Sequence, residues 1–237
     1  MQPLILLGTA FLLGTLHALE VDHMLAVSAF VSRRPALRAA AGFGLRWGVG
    51  HSTAVFVAGG LLLLSGFHWP AHWDAVGEGV VGLLLVGLGA WALRSASKLH
   101  LHPAEEHGDH AHLHVHGHPA ESHAHDHPAS NPHPHGHDGR RGVGIVGLLH
   151  GLAGTSAVVA LVPVTLMASR LFGLAYLLAF GLGTMLGMTG FAFAAAVAMR
   201  SVGDRSIVWG RRMAMGVGLA GVVVGVWWVL RAAGVTA

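Results

Sequence analysis

Six apolar stretches, at residues 3–30, 39–66, 76–95, 143–168, 171–199 and 207–230, dominate the chain and limit what it can fold into. Each is long enough to cross a ~30 Å hydrocarbon core as a helix, which takes about 20 residues. Strand-like alternation is absent, which argues against a transmembrane barrel. Charged residues make up only 11% of the sequence, far below the roughly quarter share of a soluble domain, and most of them lie between the stretches. The expected fold is therefore an all-α integral membrane protein with six transmembrane helices. The first stretch does not read as a cleaved leader, because it lacks a basic leading region and carries His and carboxylates.

The cations report topology. Arg33, Arg34, Arg38, Arg94, Lys98, Arg140, Arg141, Arg200, Arg205, Arg211 and Arg212 all fall on one side of a six-span arrangement. Arg170 and Arg231 fall on the other, and Arg46 lies within the second span. The positive-inside rule then places both termini outside the cell (inner) membrane and the loop after the third span in the cytoplasm. The sequence pI near 10.5 reflects few acids, since no basic stripe with interleaved aromatics marks a nucleic-acid surface.

That loop divides the chain into residues 1–96, a His-rich segment at 97–141, and residues 142–237. Of the 20 histidines, 14 lie between His100 and His137, among acids and prolines. Such a segment has no apolar face to bury and is expected to be disordered, a metal buffer or sensor without a defined site. The flanking halves repeat. Gly14-Thr-Leu-His17 aligns with Gly147-Leu-Leu-His150 at an offset of 133, and Trp47-Gly-Val-Gly-His51 aligns with Phe180-Gly-Leu-Gly-Thr184 at the same offset. Three spans per half force the halves to enter the membrane from opposite sides. The result is a 3+3 inverted repeat with a substrate site near mid-membrane. Gly183-x-x-x-Gly187 and Gly221-x-x-x-Gly225 are spacings that let helices approach closely.

Chemistry concentrates in the first span. His17, Glu20, Asp22 and His23 stand within seven residues. A charged group at a helix centre costs ~2.5–3.5 kcal/mol on insertion scales, so these groups must be paired, protonated or bound. At ~1.5 Å per residue, His17 and His51 lie about 20 Å from the cytoplasmic edge, and His23 and His150 about 12–13 Å from it. At 100° per residue, Asp22 points about 140° away from His17, so a straight helix cannot aim all four at one ion. Either the helix distorts around residues 18–22 or Asp22 serves another partner, with Arg46 a candidate. With no cysteine, any metal must be held by imidazole, carboxylate or backbone oxygen, a donor set for Ni, Co, Zn or Cu(II). The expected ligands are His17, Glu20, Asp22, His23, His51 and His150. Thr155, Ser156 and Thr184 occupy the matching positions in the second half and carry no charge. His68, His72, Asp74 and Glu78 form a weaker capture candidate on the outer side, where Trp69 and Trp73 also read as an interface belt.

His17-Ala-Leu-Glu-Val-Asp22-His23 resembles the H-x4-D-H signature of the nickel/cobalt transporter family. The Leu45-Arg-Trp-Gly-Val-Gly-His51 segment is similar to that family's second motif region, and the segment around His150 to short urease-associated members. The resemblance covers most of both membrane halves and excludes the His tract. It implies movement of Ni2+ or Co2+, with His17, Asp22 and His23 essential, and no cofactor beyond the transported ion. Its implied partners are the bilayer and nickel chaperones of urease or hydrogenase assembly. Typical members have eight spans. Six spans with a His-rich loop resemble the related efflux proteins, which usually lack the aspartate that Asp22 supplies. Uptake is the primary expectation and nickel/cobalt or zinc efflux the alternative. No nucleotide-binding loop or H-E-x-x-H motif points to an enzyme.

Overall fold

The computed structural model describes residues 2–32, 36–65, 72–97, 138–153, 164, 167 and 169–235. Among them are seven helices and no strand: α1 (Gln2–His17), α2 (Val21–Val31), α3 (Leu37–Ser65), α4 (His72–Ser97), α5 (Asp138–Ala153), α6 (Arg170–Arg205) and α7 (Ile207–Ala232). Four of these, α3, α4, α6 and α7, are long and apolar enough to cross a membrane. The pair α1 and α2 passes the same test as one span bent by 55°. In α5 the apolar part, Val143–Leu152, is shorter than a span, and residues 154–163 lie outside the described residues. The His tract, His68, Thr155 and Ser156 lie outside them as well.

Burial is inverted relative to a soluble protein. Leu4, Leu61, Leu83, Leu171, Leu182 and Val223 are exposed, whereas His17, Asp22, His23, His51, His150 and Thr184 are buried. An apolar exterior around a polar interior suits a chain solvated by lipid, where buried polar groups must find partners inside.

Packing joins α1 to α6, α3 to α6, and α3 to α5, with α4 and α7 forming a second closely packed pair. The short helix α2 lies against α4, α6 and α7. Glycines set the closest approaches. Gly14 on α1 faces the Phe180 backbone on α6, and Gly147 on α5 faces the Trp47 backbone on α3. Gly183 faces Phe11, and Gly50 faces Gly144. Each contact turns into its counterpart when 133 is added to or subtracted from both residue numbers. Gly225 packs on Gly82 and Gly187 on Thr15 and Ala18, so both glycine spacings lie at close helix contacts.

Two apolar clusters flank the buried polar residues. One gathers Phe43, Trp47, Val27, Val31, Leu85 and Met188. The other gathers Ala10, Val55, Tyr176, Leu177 and Phe180. The chain breaks between α1 and α2.

Candidate metal centre

The break is built from short turns. The Leu19 amide donates to the Leu16 carbonyl at 2.9 Å and the Glu20 amide to the His17 carbonyl at 3.0 Å. Glu20 is extended, with φ −66° and ψ 152°, and α2 restarts after it. No proline or glycine occupies residues 17–23, so the sequence carries no conventional breaker there. The reason lies in what the break brings together. Asp22 falls in the first turn of α2, where the positive end of the helix dipole favours a carboxylate. The last turn of α1 presents the opposite end. A discontinuous helix with charge-bearing ends inside the membrane is a recurrent way of building an ion site.

Asp22 uses both carboxylate oxygens. Its Oδ1 accepts from His23 Nδ1 at 3.0 Å and its Oδ2 from His150 Nε2 at 3.0 Å. Arg46 is exposed and is not among its partners. His17 Nε2 and His51 Nε2 face each other at 3.1 Å, so one donates to the other. The four rings form one group: centroids are 4.6 Å apart for His17–His23, 5.1 Å for His23–His51 and 4.4 Å for His23–His150. Phe180 stacks on His17 at 5.6 Å, and Trp47 lies 5.6 Å from His150, each from the apolar cluster on its side.

The tautomers follow from these contacts. An ionised carboxylate only accepts, so His23 carries its proton on Nδ1 and His150 on Nε2. His23 Nε2 and His150 Nδ1 are then bare lone pairs, buried and without a hydrogen-bond partner among the described residues. His51 Nδ1 is buried without one too. A neutral imidazole nitrogen with a free lone pair in a dry site is what a divalent transition metal binds, and a carboxylate that fixes the other nitrogen raises its basicity. Two sets of three residues bring ligand atoms within 4.8 Å of one another: His17, His23 and His51, and Asp22, His23 and His150.

Five of the six expected ligands thus converge. Glu20 reaches His17 alone: its Oε1 is 3.0 Å from His17 Nδ1, and its side chain is 46% exposed. The approach falls short of hydrogen-bond geometry. With no hydrogen bond to lose, Glu20→Gln is expected to weaken metal affinity by no more than about tenfold, the low end for a ligand's hydrogen-bonding partner. Nickel titration of the purified variant against wild type checks this. Thr184, the counterpart of His51, is fully buried and donates to the Phe180 carbonyl at 3.1 Å, so its hydroxyl is spent within its own helix. Glu78, from the weaker capture candidate, sits 3.5 Å from Arg231, which ties α4 to α7. The buried indole of Trp47, whose Nε1 has no partner among the described residues, is a feature that sequence reasoning missed.

Two curated proteins show what the chain is similar to. It is 34% identical over 189 residues to the urease accessory protein UreH of Bacillus sp. (strain TB-90), covering 78% of this chain and 74% of that protein. It is 28% identical over 191 residues to the "Putative nickel/cobalt efflux system MJ1092" of Methanocaldococcus jannaschii, covering 78% of this chain and 73% of that protein. No protein-family profile and no solved structure matches.

Proposed function

The chain belongs to the nickel/cobalt transporter family, and from that premise we propose that it carries Ni2+ or Co2+ into the cell across the inner membrane through the His/Asp cluster. The observation that carries this reading is the convergence of four imidazoles and one carboxylate, all buried, at a helix break between lipid-facing surfaces. Structural packing alone needs no such set, and a site that dehydrates a divalent ion does.

In this reading the protein is a six-span 3+3 inverted repeat. The glycine contacts related by the offset of 133 support it, because a two-fold related pair of halves makes each interhelical contact twice. His17 and His150 are then the related histidines on either side of the midplane. Both termini face outward and the His tract faces the cytoplasm, where it buffers the arriving ion or hands it to nickel chaperones of urease or hydrogenase assembly. A relative named as a urease accessory protein supports that destination.

Inward movement needs no further energy source. A divalent ion gains about 2 × 2.3 kcal/mol on entering a cell at ~100 mV negative inside. The second reading, efflux, draws on the relative named for it. Reconstitution into proteoliposomes separates the two. Inward proposals expect saturable radionickel entry driven by a negative-inside potential, reduced at least a hundredfold in Asp22→Asn. Flux that only leaves the compartment, against the potential and with a proton gradient, establishes efflux. Flux that survives Asp22→Asn removes the cluster from the pathway. Deleting residues 100–137 is expected to leave flux substantial and to change its concentration dependence.

A further inference from the structure

We propose that the cluster is two overlapping ion stations that share His23, and that the ion passes from one to the other during transport. The inference rests on the transport reading above and goes beyond it in assigning separate roles to the ligands. One station is His17, His23 and His51; the other is Asp22, His23 and His150.

Three observations carry it. The ligand atoms fall into two sets of three, each within 4.8 Å, with His23 the member of both. The two flanking pairs are separately closed: His17 and His51 meet only through their Nε2 atoms at 3.1 Å, and His150 meets Asp22 at 3.0 Å, while the His51 and His150 rings are 6.3 Å apart. His23 is fully buried between them, with Nδ1 held by Asp22 and Nε2 without a partner among the described residues. The two nitrogens of an imidazole diverge, so one ring can serve the first station through Nε2 and the second through Nδ1.

The stations differ in chemistry and in place. The first offers three neutral nitrogens; the second replaces one with an anionic carboxylate, whose charge adds Coulombic attraction for a divalent cation in a low-dielectric site. The first takes His17 from the end of α1, before the break; the second takes Asp22 from α2, after it. An ion arriving at the all-imidazole station takes the place of the proton between His17 and His51, which shifts to the unpartnered Nδ1 of the ring that carried it. On moving to the second, it takes the place of the Nδ1 proton of His23, which shifts to Nε2, and of the Nε2 proton of His150, which shifts to Nδ1. Every ring stays neutral throughout. Two divalent ions a few ångströms apart repel strongly at low dielectric, so the stations are occupied one at a time.

Cobalt absorption spectra test this, because Co2+ bands report the donor set. The full chain is loaded with Co2+, and each spectrum is taken as a difference against full-chain His23→Gln, which carries the same His tract and lacks the shared ligand. Asp22→Asn is expected to retain a buried ion with a nitrogen-only spectrum. The double variant His17→Gln with His51→Gln is expected to retain one with a mixed oxygen and nitrogen spectrum, and wild type to bind one ion. Loss of the difference signal from either variant, with wild type retaining it, overturns the two stations in favour of a single site. Absence of the signal from wild type itself overturns the transport reading instead. If the double variant does not fold, His17→Gln alone and His51→Gln alone read the same station, and loss of the signal in both counts against the proposal.

Discussion

His23→Ala abolishes high-affinity nickel binding at the intramembrane cluster, with affinity falling by a factor of several hundred or more. His23 is the only residue common to both sets of candidate ligands, and its ring is fully buried between the other three. Truncation removes a donor from every three-ligand combination and leaves Asp22 with an unpaired buried oxygen. An unsatisfied buried acceptor alone destabilises by about 1–3 kcal/mol, so some loss of thermal stability accompanies the loss of metal. The two effects separate by comparison with His23→Gln, which keeps a polar side chain of similar reach and lacks the imidazole. Calorimetric titration of both variants checks this: binding is lost in both, and the melting temperature falls further in the alanine variant.

The second large effect is structural. Gly14→Val is expected to prevent the helices from docking, a loss of about 3 kcal/mol or more where ordinary overpacking costs about 1–3. A Cβ at Gly14 would stand 2.8 Å from the Phe180 carbonyl carbon, with the oxygen closer still. The obstacle is backbone, which cannot rotate away, and moving α6 would displace Phe180 from the face of His17. The related change Gly147→Val meets the Trp47 carbonyl carbon at 3.1 Å and is expected to act in the same way. Gly8→Val, with nothing within 4 Å of its new Cβ, is the control and stays near wild type. Thermal unfolding of the three variants in detergent or bilayers measures the difference.

Much of this architecture is legible in the sequence because a lipid environment imposes a simple rule. A window of about 20 apolar residues is a helix, and its ends fall where polarity returns. The stretch at 39–66 became α3 over Leu37–Ser65, and that at 207–230 became α7 over Ile207–Ala232. Extension of α6 to Arg205 was not legible, since hydropathy marks where lipid ends and not where hydrogen bonding ends. The break was legible only as one of two options, a distortion around residues 18–22 or a separate partner for Asp22. Angular arithmetic shows that His17 and Asp22 cannot share a face of a straight helix, and so demands a distortion or a separate partner. Only the packing of α2 against α4, α6 and α7 settles that the helix breaks at residues 18–20.

Partner identity is harder still. Asp22 and Arg46 attract each other on paper, yet the exposed Arg46 keeps its charge outside while Asp22 takes two buried imidazoles. His150 stands 128 residues from Asp22, and its place beside the carboxylate depends on close packing of α5 on α3 at Gly147 and Gly151. The one sequence signal for that contact is the repeat offset, which aligns His150 with His17. Glu20 shows the converse. It stands among the same four ionisable groups as Asp22, and only the turn of the chain leaves it half exposed beside His17.

Nickel K-edge X-ray absorption puts the proposed ligation by the buried His and Asp side chains at the helix break to its sharpest test, on protein lacking residues 100–137 and reconstituted in bilayers at one nickel per chain. Multiple-scattering features of at least two coordinated imidazoles are expected, weakened in His17→Gln with His51→Gln and changed in donor composition in Asp22→Asn. A spectrum of nickel bound without imidazole, or one that neither variant alters, would contradict that ligation.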